Sequence, residues 1–151
     1  MKRAVYVMLA LAAVLLLALP FTRQAVYVSA AQLQERLSAA AEADNMEQKD
    51  EAQLCALLQI RNDAYEEAVY FGAPSYMDVE EIILLYSPAH KEELETKMQQ
   101  HIERQITAFK GYGEQQTQML EDAQVSVIGD YAVCVVSGSS ATMQAVKDAL
   151  R

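Results

Sequence analysis

The spacing of hydrophobic positions changes several times along the chain. Behind Lys2 and Arg3, apolar residues run unbroken from Ala4 to Leu19, and Pro20 and Phe21 close the run. A basic start followed by an apolar stretch is the pattern of a signal sequence, and this one is also nearly long enough to span a membrane. Residues 1–23 are therefore read as a signal sequence or an uncleaved membrane anchor, held through residues 4–21. The two basic residues favour an N-terminus inside and the remainder outside. Val28-Ser29-Ala30 is a passable small-residue cleavage site, so cleavage near Ala30 would give a secreted protein.

Residues 24–64 read as a helical stretch leading into a domain at 65–151. Ser29 suits the cap of a helix in which Leu33 and Leu37 repeat at four residues, and a second stretch, about Glu47 to Leu58, carries Leu54, Leu57 and Leu58. The two are open to reading as a stalk or as helices packed on the domain. Short runs rich in Val, Ile and Tyr follow, Ala68–Phe71 and Val79–Tyr86. Gly72-Ala73-Pro74-Ser75 separates them, which predicts two antiparallel strands. Alternation puts Val79, Glu81, Ile83 and Leu85 on one face and Ile82, Leu84 and Tyr86 on the other.

Ser87-Pro88 predicts the start of the longest helix, striped by Leu94, Met98, Ile102, Ile106 and Phe109. Gly111 comes where a left-handed C-terminal cap belongs. A short helix, about Glu114 to Asp122, precedes a hairpin turning at Gly129-Asp130, and Ser139 or Ser140 caps a last helix. The prediction is an α+β domain, helices-ββ-αα-ββ-α, with a mostly antiparallel four-stranded sheet and helices on one face.

Charge narrows the partners. Of 12 basic and 21 acidic residues, three bases and no acid fall in residues 1–23, which leaves the rest at a net −12. Such a surface repels phosphate backbones, so nucleic acid is not a partner.

Candidate chemistry is sparse. Gly111-Tyr112-Gly113 follows a helix and lacks the strand before and the Lys or Ser/Thr after that a phosphate-gripping loop needs, so it reads as a helix stop. His90 and His101 are separated by about 16 Å along one helix and cannot share a metal. His101, beside the apolar stripe, reads as an edge-of-core histidine. Neither Cys55 nor Cys134 has ligand partners at metal spacing, so no metal and no cofactor is implied. Export would permit a disulfide between them, whereas their apolar surroundings suit buried free thiols. Ser137-Gly138-Ser139-Ser140 reads as a strand-to-helix connection. The acidic pairs Glu66-Glu67 and Glu80-Glu81 point to opposite strand faces and form no site by themselves. Glu81, set among Val79, Ile83 and Leu85, needs a partner if buried, and Arg104 lies one helical step from the stripe. A Glu81–Arg104 pair with Tyr112 or Tyr131 nearby is the expectation, as a structural network or as the floor of a ligand cleft.

Three stretches carry a resemblance: "VEEIILLYS", "IERQITAFKGYGEQQ" and "VIGDYAVCVVS". In this order they resemble the DUF4358 family, bacterial domains of unknown function that are often exported and membrane-attached. Glu81, Arg104, Phe109, Tyr112, Gly129 and Tyr131 fall on the family's positions. The lipid-attachment cysteine common in such exported proteins is missing here. The resemblance implies a fold and a location and no reaction. Two functions remain open on the sequence. One is a membrane-anchored accessory protein that binds an envelope protein or cell-wall component. The other is a small-ligand sensor or hydrolase with a polar site around Glu81 and Arg104.

Overall fold

A computed structural model of the chain describes residues 26–151. The apolar segment read as signal sequence or anchor lies outside the described residues. Among the described residues no helix is long and apolar enough to cross a membrane.

Helix α1 (Ala30–Ala43) is built from strong helix formers and starts on Ser29 through a reciprocal capping box with Gln32. Asn45, with φ of 56°, turns the chain into a two-residue strand, β1 (Glu47–Gln48). A second capping box, Asp50 with Gln53, opens α2 (Glu51–Leu58), which ends on Gln59 in the left-handed region. Strands β2 (Glu67–Gly72) and β3 (Glu81–Tyr86) form the expected pair, in register from Glu67 opposite Tyr86 to Gly72 opposite Glu81. Helix α3 (Lys91–Phe109) begins three residues after Pro88, because Ser87–His90 is spent on a turn: Ser87 donates to the Asp130 carbonyl and His90 to that of Ser87. Then come α4 (Glu114–Glu121), β4 (Gln124–Ile128), β5 (Tyr131–Val136) and α5 (Ser140–Ala149), the last capped by the Ser139 hydroxyl. Gly129 takes φ of 61° in the two-residue β4–β5 turn while Asp130 keeps a negative φ, the sign pattern of a II′ hairpin.

The sheet is antiparallel throughout, in the order β1-β2-β3-β5-β4. It has five strands, which corrects the expectation of four. The extra strand is β1, whose two residues pair with Gly72 and Phe71 and leave no periodic trace in the sequence. The helices cover both faces, which corrects the expectation of one covered face. Every residue of β5 is buried, and so are the first five of β3. A strand apolar on both faces needs two covers, because each exposed Val, Ile or Leu side chain would forgo about 1.5–3 kcal/mol of burial.

One face carries Val69, Phe71, Ile82, Leu84, Tyr131, Val133 and Val135 under α1 and α5. Arg36 fastens these two helices, donating from Nη1 to the Ala149 carbonyl at 2.8 Å. The other face carries Ile83, Leu85, Ala132, Cys134 and Val136 under α2, α3 and α4. The helical stretch before residue 65 thus packs into both cores: Leu33, Leu37 and Ala41 in the first, Leu54 and Leu58 in the second.

The sheet has two distinguishable ends. At the near end, where the chain arrives from residue 26, lie Glu67, Tyr86 and Tyr131. At the far end, about 17 Å away along β3 at ~3.4 Å per residue, lie Gly72, Glu81 and Val136.

Candidate functional site

Glu81 opens β3 on the α3 side of the sheet and is 5% exposed. Its partner is His101, not Arg104: Nε2 of the buried imidazole lies 2.8 Å from Glu81 Oε1. Arg104, three residues further along α3, points outward and donates from Nη2 to the Leu57 carbonyl at 3.0 Å, tying α3 to α2. The expected pair is therefore corrected. The stripe of α3 runs Leu94, Met98, His101, Ile102 and Phe109; at about 100° per residue His101 stands at one edge of that stripe, and Arg104, about 60° further round on the same side, falls outside it. His101 was legible as the partner: it stands three residues after Met98 and seven after Leu94.

The thiol of Cys134, on the neighbouring strand, lies 3.8 Å from the same carboxylate oxygen. Burial, and after it the Glu81 carboxylate, pushes this thiol well above its ordinary range. The phenol of Tyr70, on β2, is raised by burial and by Glu81. Cys55 is a separate free thiol, within 3.4 Å of the Tyr65 hydroxyl, and no disulfide joins the two cysteines. In the folded protein the half-buried Cys55 is expected to react with a thiol reagent directly, and the buried Cys134 only at the rate of unfolding. Two thiols titrating at one fast rate would contradict the buried setting of Cys134.

Tyr131 belongs to the opposite face and the near end. Its hydroxyl accepts from the Val28 N–H at 2.9 Å and donates to the Val28 carbonyl at 2.7 Å. Burial raises this phenol as well. Around it Tyr27, Tyr86 and Tyr131 form an aromatic stack with centroids 4.9 Å and 5.1 Å apart. Glu67 accepts from the Tyr27 hydroxyl and the Ala30 N–H. The hydrogen bond to Glu67 pushes the Tyr27 phenol up to about 12.

Tyr112 stands beyond the far end, largely exposed, its ring tilted against Phe109 at 5.6 Å. Gly111 takes φ of 98°, and the Tyr112 and Gly113 N–H groups both return to the Phe109 carbonyl. The Gly-Tyr-Gly stretch is thus the turn between α3 and α4. Nothing lies within 4 Å of a Cβ built on Gly111. Gly111→Ala is therefore expected to cost only the left-handed strain, about 1 kcal/mol, read as a lower denaturant midpoint with an unchanged slope.

The fold does not bring Glu81, Arg104, Tyr112 and Tyr131 together. The hollow beside Arg104 is lined by Gln100, Glu103, Arg104 and Thr107 and reaches none of the other three. Ser137 and Thr142 donate to the Asp44 carboxylate, joining the end of α1 to the start of α5. Among the described residues no buried side-chain nitrogen or oxygen lacks a partner, and no group of His, Cys, Asp and Glu could hold a metal ion. The polar groups inside the domain are spent on one another.

The fold is thus an antiparallel α+β domain with two cores and a closed Glu81–His101 pair, and large apolar side chains are exposed at both ends, Val26 and Tyr27 at the near end and Tyr76, Met77 and Tyr112 at the far end. The chain belongs to the DUF4358 family, a domain of unknown function, which matches residues 39–137. That match takes in all five strands with α2, α3 and α4. Most of α1 and all of α5, which cover the Tyr131 face, fall outside it. No curated protein and no solved structure matches the chain.

Proposed function

We propose that this protein is an accessory protein of a bacterial cell envelope, anchored in the cytoplasmic membrane by residues 4–21, whose extracytoplasmic domain binds another envelope protein or a cell-wall component. One observation carries the reading. The chain emerging from the apolar segment is fastened to the near end of the sheet, while Tyr76, Met77 and Tyr112 are bare at the opposite end. Bare apolar side chains at the end away from a tether suit a surface presented to a partner.

Retention of the anchor is supported by residues Tyr27 to Ala30. Val28 is buried and bonded through both backbone groups, Ser29 caps α1, and Ala30 is its first residue. A cut at Ala30 would remove part of the fold. The competing reading, a sensor or hydrolase around Glu81 and Arg104, has less support, since the first is buried against His101 and the second faces outward.

The test is topological. In cells making the full chain, the domain is expected to resist alkaline extraction from membranes and to be digested by protease added outside intact spheroplasts. A domain protected until the membrane is opened, or recovered in the soluble fraction, would overturn the reading.

A further inference from the structure

Tyr76 is 102% exposed, Met77 59% and Tyr112 67%. They come from two connections distant in sequence, the β2–β3 loop and the α3–α4 turn. Gln116 brings the connections together, donating from Nε2 to the Met77 carbonyl at 3.1 Å. The loop is ordered by its own bonds: Met77 N–H to Ser75 Oγ at 3.1 Å and Asp78 N–H to the Ser75 carbonyl at 3.2 Å. Holding apolar side chains in water on an ordered loop does nothing for folding, and such groupings mark interaction sites.

The surroundings say what kind of partner fits. The two connections and α4 with its C-cap carry Asp78, Glu80, Glu114, Glu121 and Asp122 against a single base, Lys110. Two hollows flank α4. One, of about 480 Å³, has Tyr112, Glu114 and Glu121 in its lining, and the other, of about 640 Å³, has Glu114, Met119 and Asp122. Each sets carboxylates beside apolar surface, which suits an Arg or Lys side chain with its apolar stem and charged head.

We infer that the far end docks a cationic segment of a protein partner, in which Arg or Lys alternates with aliphatic or aromatic residues. The aromatic or aliphatic side chains lie on Tyr76, Met77 and Tyr112, and the cations enter the hollows beside α4. A second copy of this chain is disfavoured as occupant, because residues 24–151 carry a net −12 and repel their like. Anionic lipids and anionic wall polymers are repelled in the same way. The inference rests on the reading above, in which this end faces away from the membrane.

The experiment uses the full chain in phosphatidylcholine nanodiscs with ¹³C-methyl methionine. The probe is a short synthetic peptide of alternating arginine and leucine, and the control replaces each arginine with glutamate. The Met77 and Met119 methyl signals are expected to shift with the arginine peptide, while those of buried Met46, Met98 and Met143 stay in place and report an intact fold. Tyr76→Ser and Tyr112→Ser are each expected to weaken binding by about tenfold, and added salt to weaken it further. No shift, an equal shift with the glutamate peptide, or a Met77 shift that follows protein concentration without peptide would overturn the inference. The last result would assign the patch to a second copy. If protease shaving places the domain outside and the peptide does not bind, the docking surface alone falls. If the domain is inside, the envelope reading falls whatever the peptide does.

Discussion

His101→Leu is expected to destabilise the domain by about 3 kcal/mol, a fall in Tm of roughly 10 °C, although it adds apolar surface to an apolar core. The imidazole is the close partner of the Glu81 carboxyl, and both side chains are almost fully buried. Removing it leaves that carboxyl facing only a weak thiol donor at 3.8 Å. A buried acceptor stripped of its partner keeps its desolvation cost and loses its bond. Adding Glu81→Leu to the same chain is expected to recover most of the loss, since an apolar pair of similar volume removes the stranded group. Arg104→Leu is the comparison: its guanidinium reaches one carbonyl from an exposed position, so its loss should fall within about 1 kcal/mol. Thermal unfolding of the three variants beside the unchanged chain checks the set. A neutral His101→Leu would mean that the pair does not hold β3 to α3.

A chain beginning at Ala31 is expected to be less stable than one beginning at Val26 by about 2–5 kcal/mol. Three losses coincide. The Ser29 cap of α1 contributes about 1 kcal/mol, and burial of Val28 about 1.5–3 kcal/mol. Tyr131 loses both partners of its hydroxyl on Val28, and Tyr86 loses the ring of Tyr27 packed against it. The midpoints of denaturant unfolding of the two chains give the difference. Equal midpoints would mean that Tyr27–Ala30 is a passive linker, and the structural argument against cleavage at Ala30 would go with it. Tyr131→Phe in the longer chain separates the hydroxyl from the rest and should account for about 1 kcal/mol.

Much of the architecture was legible from local patterns. The caps at Ser29 and Ser139, the stripe of α3, the stop at Gly111 and the turn at Gly129 rest on residues whose preferences act within a few positions. Two errors share a cause. β1 is two residues long and exists only through its pairing with Gly72 and Phe71, so no periodicity announced it. The second layer of helices was written into "EIILLY", where Ile82 and Leu84 alternate with Ile83 and Leu85. A run apolar at every position states that both faces are buried without saying by what.

By itself the sequence determined most of the caps and turns, because capping, turn chemistry and side-chain periodicity are short-range; it did not determine β1, whose Glu47 and Gln48 read as part of the helical stretch that in fact begins at Glu51. It also determined that a lone carboxylate among Val79, Ile83 and Leu85 needs a partner. Only the tertiary structure decided which partner, since His101 and Arg104 are neighbours on the same helix surface and the edge of the buried stripe falls between them. Only the tertiary structure joined Val28 to Tyr131, 103 residues apart, and set Tyr76 and Met77 beside the turn that carries Tyr112. Such meetings depend on how five strands are ordered and on which face each helix covers, a choice settled by the burial of the whole chain at once.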